Sequence, residues 1–294
     1  MELGHAALRI AHLSSINCGS ILFDEGLMRR TVEAINKSEP DLVVMAGDFT
    51  QAGYEWEFKD AVGWLSHLEA PVMAVPGNHD SRNVGYLHFE RMLGERFRSH
   101  RIAFDDERAR RLHASGITVV CTDSSEPDLD EGHVGREWYD WIRDQYTEPD
   151  DLKAFVVHHH LVSVPGAGRG LNVIVDAGDL LPILTDLNID IVLTGHKHVP
   201  SFWGLNGLLI ANAGTAATRM VRGTIPPSWT ELRVDASSIK GFLHYEDGRR
   251  ELSLLRSRSA RRRIQRAFYV TPDFFDANQV LISSAGATPA AVRS

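Results

Sequence analysis

The chain has only two cysteines among 294 residues, Cys18 and Cys121, and they lie far apart. That excludes a disulfide framework and points to free thiols in a reducing compartment. No apolar run approaches the length of a membrane span, and Met1–Ile10 lacks the charged-then-apolar pattern of a secretory leader, so the expectation is a cytoplasmic protein. Repeats and low-complexity linkers are missing. So is an excess of positive charge: the formal net charge is −8, which argues against wholesale nucleic-acid binding. One segment, however, is locally rich in cations. Eight arginines fall between Arg249 and Arg266 with Glu251 as the only acid, so this segment carries +7 and the remainder −15.

A hydrophobic content of 43% with 24% charged residues fits one large α/β domain, alone or with a small appendage. Short runs rich in Val, Ile and Leu read as buried strands at Leu8–Leu13, Leu42–Ala46, Val72–Val75, Ile117–Cys121, Ala154–Val157 and Ile189–Leu193. Between them lie helix-period stretches, with Leu27, Met28, Val32 and Ile35 on one face and Trp138, Trp141, Ile142 and Tyr146 on another. Strand and helix in alternation imply a mostly parallel sheet covered by helices. Beyond His198, glycine-punctuated strands at Leu208–Ala211, Trp229–Val234 and Gly241–Tyr245 suggest a second sheet. Composition shifts near Gly248, so residues 1–248 are read as the domain and 249–294 as a basic extension. The Ala-, Ser- and Thr-rich stretch Ser283–Ser294 is expected to be disordered.

The residues with chemistry follow the strands directly: Gly47-Asp48, Gly77-Asn78-His79-Asp80, His158-His159-His160 and Gly195-His196-Lys197-His198. The carboxyl ends of parallel strands are where α/β sheets bind ligands. Imidazole and carboxylate together suit first-row transition ions, while the glycines permit tight turns and close approach to a phosphate. Singly, each motif has a bland reading: Gly-Asp is a common turn, Asn-His-Asp likewise, and a histidine triplet can be a solvated loop. Four of them in order, each after a strand, are hard to reach by accident.

These motifs resemble those of the calcineurin-like metallophosphoesterases, and within that superfamily the bacterial class III cyclic-nucleotide phosphodiesterases. Thr122-Asp123-Ser124, Gly135-Arg136 before a Trp-bearing helix, and Asn212-Ala213-Gly214-Thr215 add to the resemblance, which covers about residues 8–250. It implies a four-layer α/β/β/α sandwich of two mixed sheets with a dimetal site at one end, holding one or two divalent transition ions (Mn, Fe or Zn). By the same resemblance Asp48 bridges the ions, while Asn78, His196 and one triplet histidine hold the second. His198 belongs to the first. Setting Leu161 against the proline of the usual His-His-Pro selects His159, with His158 the alternative. His79 stands beside the phosphate, as Asn78 also does, and acts as general acid or as a donor to developing charge. Asp80 orients its ring.

One motif departs from the pattern. Where the family has Asp-x-His after the first strand, this chain has Ser15-Ile16-Asn17, so both side chains are neutral, weak donors. His12 reads as a core histidine and Cys18 as a small buried hydrophobe. Three outcomes follow: a one-metal enzyme, a two-metal enzyme whose first ion binds weakly, or a silenced phosphoesterase fold that serves as a ligand-binding or scaffold module.

The glycine-rich stretch Pro165–Asn172 is placed over the site mouth, where Arg169 could pair with a phosphate oxygen or be an ordinary solvated arginine. Cyclic nucleotides, other nucleotide diesters and lipid-linked phosphodiesters all fit as small phosphate-ester substrates. The basic segment reads as an amphipathic helix that would meet a partner subunit, the acidic body or an anionic membrane surface, with nucleic acid a third choice. A homo-oligomer is expected.

Overall fold

The computed structural model describes residues 7–168, 172–222, 224–258 and 268–269. The chain begins as a βαβαβ series: β1 (Leu8–Leu13), α1 (Glu25–Ser38), β2 (Leu42–Ala46), α2 (Glu55–Leu65) and β3 (Val72–Val75). Every residue of β2 is buried, as an uninterrupted apolar run requires. Asp24 caps α1 by accepting the Leu27 amide at 2.8 Å, with Glu25 in the first turn and Lys37 in the last, matching the helix dipole. The face bearing Leu27, Met28, Val32 and Ile35 is the one it buries.

Next come α3 (Gly85–Leu93), β4 (Arg98–Ala103), α4 (Asp106–Leu112), β5 (Gly116–Cys121), α5 (Tyr139–Asp144), β6 (Leu152–Val156), α6 (Ala177–Asp186) and β7 (Ile191–Thr194). The chain continues through β8 (Ser201–Leu205), β9 (Leu208–Asn212), β10 (Ser228–Val234), β11 (Ser238–Tyr245), β12 (Arg250–Ser257) and β13 (Phe268–Tyr269). One sheet runs β13-β12-β11-β10-β1-β2-β3, the other β4-β5-β6-β7-β9-β8. Strands β1 to β3 are parallel, as are β5, β6, β7 and β9. The flanking strands pair antiparallel.

Three apolar clusters define the layers. Between the sheets, Ile10, Val44 and Val75 meet Val119, Val156 and Leu193. Outside the first sheet, Val43 and Met45 pack on Met28 and Val32 of α1 and Phe58 of α2. Outside the second, Phe155 and Val192 pack on Ile142 of α5 and Leu180 and Leu184 of α6. The result is the α/β/β/α order of layers, with two mixed sheets. Cys18 and Cys121 are free, buried and in different clusters. No helix among the described residues is long and apolar enough to cross a membrane.

Three features differ from the sequence reading. The strands after His198 do not form a sheet of their own: β8 and β9 complete the sheet of β4–β7, and β10–β12 extend that of β1–β3. The start of the basic segment is not a helix. Arg250–Ser257 is a strand paired with β11, and Leu254 is buried in the central core. Strands β4 and β8 were not foreseen because they lie at or next to a sheet edge; β4, Arg-Ser-His-Arg-Ile-Ala, is largely exposed and has no apolar run. Arg169 and Ser283–Ser294 lie outside the described residues.

Candidate metal centre

Register brings the strand ends together. Leu13 pairs with Met45 and Ala46 with Val75, while Val156 pairs with Leu193 and Thr194 with Asn212. The loops that follow these strands therefore emerge at one end of the sandwich. Backbone bonds join the first two loops: Ser15 N donates to Gly47 O at 2.9 Å and Asn17 N to Asp48 O at 3.0 Å. Two glycines permit the loops to touch. A Cβ on Gly77 would sit 2.2 Å from Asp48 Oδ1, and one on Gly47 would sit 2.3 Å from His158 Nδ1. These glycines thus make room for the side chains of Asp48 and His158.

The donors converge around Asp48. Its Oδ1 accepts the His79 amide at 3.1 Å, and Oδ2 lies 3.3 Å from His158 Nε2. Asn78 Oδ1 lies 3.3 Å from His158 Nε2 and 3.1 Å from His196 Nδ1. Ligand atoms of His158, His159 and His196 all fall within 4.8 Å of one another. His158 is oriented by a 2.6 Å bond between Nδ1 and Ala46 O, which makes Nδ1 the donor and directs Nε2 toward Asp48 and Asn78. His159 has a different environment, with Nδ1 at 2.8 Å from Ser124 Oγ and Nε2 buried with no hydrogen bond of good geometry among the described residues. Both histidines belong to the cluster, but it is His158 that contacts Asp48 and Asn78. His160 points away, to Gly195 O at 2.6 Å.

The electrostatics suit a cation. Burial pushes the Asp48 carboxyl up, but His158, His79 and His198 together hold it well below the usual range. Burial and the crowding of neighbouring histidines push His159 and His196 well below the ordinary imidazole value, which keeps them neutral and able to coordinate. Burial also lowers His198, whose Nδ1 faces Met220 O and leaves Nε2 for a ligand. Five residues here hold left-handed backbone: Ser15, Asn17, Asp48, His196 and His198, with φ of 58, 48, 59, 75 and 58°. Such strain, about 1–2 kcal/mol for a residue with a Cβ, gathers at functional sites.

Asp80 does not orient His79. Its carboxylate accepts from the amides of Gly77, Phe49 and Thr50 and from Thr50 Oγ1, at 2.8, 3.2, 2.9 and 2.8 Å, which uses up its acceptor positions. It is the buried clasp between the Asp48 and Asn78 loops. Burial and nearby Asp48 push it up to about 6 against those donors. The His79 ring is set at Nδ1 by Gln51 O at 2.7 Å and Arg82 Nη1 at 3.2 Å.

Ser15 and Asn17 are both buried beside Asp48. Among the described residues Ser15 Oγ meets only Ser14 Oγ, at 3.0 Å, and Asn17 Oδ1 has no hydrogen-bond partner. His12 is buried in β1 and burial lowers it to about 3, so it is core. Burial raises the Cys18 thiol to about 12, leaving no thiolate to replace the missing ligands. Two residues escaped the sequence reading. Asn78 Nδ2 donates to Asp130 Oδ1 at 3.0 Å, and Arg82 Nη2 donates to the same oxygen at 2.7 Å. Arg82 sits two places beyond Asp80 and could have been noticed; Asp130 lies in a loop without any pattern.

A four-layered sandwich with carboxylate, amide and imidazole donors converging at its strand ends defines a class of metal-binding α/β proteins. A family model described as calcineurin-like phosphoesterase matches residues 8–200, and the chain belongs to that family. The chain is similar to a probable cyclic nucleotide phosphodiesterase of Synechococcus sp., 21% identical over 215 residues that cover 72% of this chain and 80% of that one. A glycerophosphodiester phosphodiesterase of Enterobacter lignolyticus is 29% identical over 128 residues, covering 42% and 43% of the two chains. Among solved structures, the GAP50 anchor in the inner membrane complex of Plasmodium superposes with a TM-score of 0.63 at 13% identity, covering 88% and 90%; this shows the fold alone.

Proposed function

We propose that the chain hydrolyses phosphodiester bonds with one divalent transition ion, Mn, Fe or Zn, held by Asp48, Asn78, His158 and His196. The observation that carries this reading is the convergence of their donor atoms in a buried cluster tied to Asp48 and Asn78. One carboxylate, one amide and two imidazoles form a complete ligand set for such an ion. When bound, it would polarise a phosphoryl oxygen and make a coordinated water a stronger nucleophile.

The chain's own residues do the rest. His79 Nδ1 is occupied by Gln51 O and Arg82 Nη1, so Nε2 is the nitrogen that, in the protonated ring, would deliver a proton to the leaving oxygen. Asp80 holds the two ligand loops in register. The first position has Asp48, His198, Ser15 Oγ and Asn17 Oδ1, the last without a hydrogen-bond partner among the described residues, so neutral groups stand where the family pattern has an anion. A second dication there lacks charge compensation, which favours a single ion. The names of the relatives favour a diester, either a cyclic nucleotide or a glycerol-type diester.

The test is metal content of the purified chain together with hydrolysis of bis(4-nitrophenyl) phosphate in added Mn²⁺. The expected result is about one transition ion per chain and metal-dependent turnover. A metal-free chain that stays inert with Mn²⁺ would sink the reading and leave the scaffold alternative.

A further inference from the structure

An asparagine ligand poses a problem that a carboxylate does not. Its amide has an acceptor end and a donor end, and rotation by half a turn would present NH₂ to the cation. In this protein the two ends of Asn78 meet different groups. Oδ1 faces His158 Nε2 and His196 Nδ1, while Nδ2 donates to Asp130 Oδ1 at 3.0 Å. In the flipped state the amide oxygen would face a carboxylate oxygen, two acceptors with no proton between them. Asp130 therefore discriminates between the two orientations of the amide.

The loop carrying Asp130 is well anchored for that task. It leaves β5 in the six-stranded sheet, whereas Asn78 follows β3 in the seven-stranded one. Ser125 and Gly132 bridge its stem, and Glu126 pairs with His133 at 2.6 Å. Asp128 Oδ1 accepts the Asn83 amide at 3.0 Å. Arg82 Nη2 holds Asp130 Oδ1 at 2.7 Å, which fixes the carboxylate from the side of the Asn78 loop.

We propose that Asp130 is a positioning residue for the metal centre: it fixes the Asn78 amide with its oxygen toward the cation, and Arg82 holds Asp130 in place. The inference rests on the reading of Asn78 as a metal ligand. Loss of such an outer partner weakens metal binding by about tenfold or more.

The experiment is a double-mutant cycle on the full chain, stripped of metal and titrated with Mn²⁺. Asp130→Ala is expected to weaken Mn²⁺ binding about tenfold in the Asn78 chain. In an Asn78→Asp background both ends of residue 78 are oxygen and the Asp130 carboxylate faces a like charge, so orientation no longer matters and removing Asp130 should leave Mn²⁺ affinity unchanged or raise it. Equal losses in both backgrounds would mean a merely structural role and overturn the proposal, as would Mn²⁺ affinity within twofold of the parent in Asp130→Ala. In either case the phosphodiesterase reading survives, because the parent chain still binds Mn²⁺. If the parent binds none, both fall together.

Discussion

Asp48 lies between a histidine ring and a backbone amide, and the neighbouring imidazoles differ in what they touch. His158 has its Nε2 3.3 Å from Asp48 Oδ2, while His159 is bonded through Nδ1 to Ser124. The matching of Leu161 with a family proline favoured His159, because sequence alone gives no direction for side chains in an irregular loop after a strand. The two histidines separate by mutation. His158→Gln should reduce metal content per chain at least tenfold, and His159→Gln should reduce it much less, as read by elemental analysis. The reverse order would reassign the ligand. At the first position, Ser15→Asp with Asn17→His should raise the metal content from about one to about two ions per chain and increase diesterase turnover. Unchanged values in both would show that these two positions do not face a cation site.

Elements decide which of these residues can meet. The Gly47 and Gly77 turns let two loops approach until any Cβ would collide with a ligand, a requirement visible only once the loops are placed side by side. Most strands were legible, because a buried parallel strand needs a continuous apolar run; the bounds of β1, β2 and β3 match the reading residue for residue. Edge and outer strands carry no such signature. The clearest case is β12, where Arg250 stacks over Phe242 at 3.6 Å and Leu254 turns inward. An arginine-rich run there covers an outer sheet face instead of forming a helix. A chain ended at Gly248 should accordingly expose β11 as a new edge and melt at least 10 °C below a chain ended at Arg258, an order-of-magnitude figure for losing a strand. Equal melting temperatures would restore residues 249 onward to the status of an appendage.

For the whole molecule, long-range polar contacts set the response to acid. Glu231, on β10, is buried, which raises its carboxyl, yet His244 at 2.8 Å, Arg233 and the charge of Arg250 bring it down to about 2. A carboxyl lower in the folded than in the unfolded state stabilises above the unfolded value of 4.5, and that stability is lost as pH falls toward 2. The contribution is on the order of 3 kcal/mol. Glu231→Gln should therefore destabilise the protein at pH 7 and flatten its stability profile between pH 4.5 and 2, measured by denaturant titration. An unchanged slope in that window would assign the acid response elsewhere.

By itself the sequence determined the class of fold and the family, because apolar runs dictate buried strands and the family's motifs are spelled out residue by residue. It also placed Ser15 and Asn17 where the resemblance leads one to expect Asp-x-His. Only the tertiary structure decided which histidine of the triplet meets Asp48, that Asp80 clasps loops and does not orient His79, that β12 belongs to the sheet, and that Asp130 reaches Asn78 from the other sheet. Those matters depend on the direction of side chains and on contacts between residues far apart in the chain, such as His158 and Ala46, 112 positions apart. Local pattern reports burial and periodicity, and it has no access to such distances.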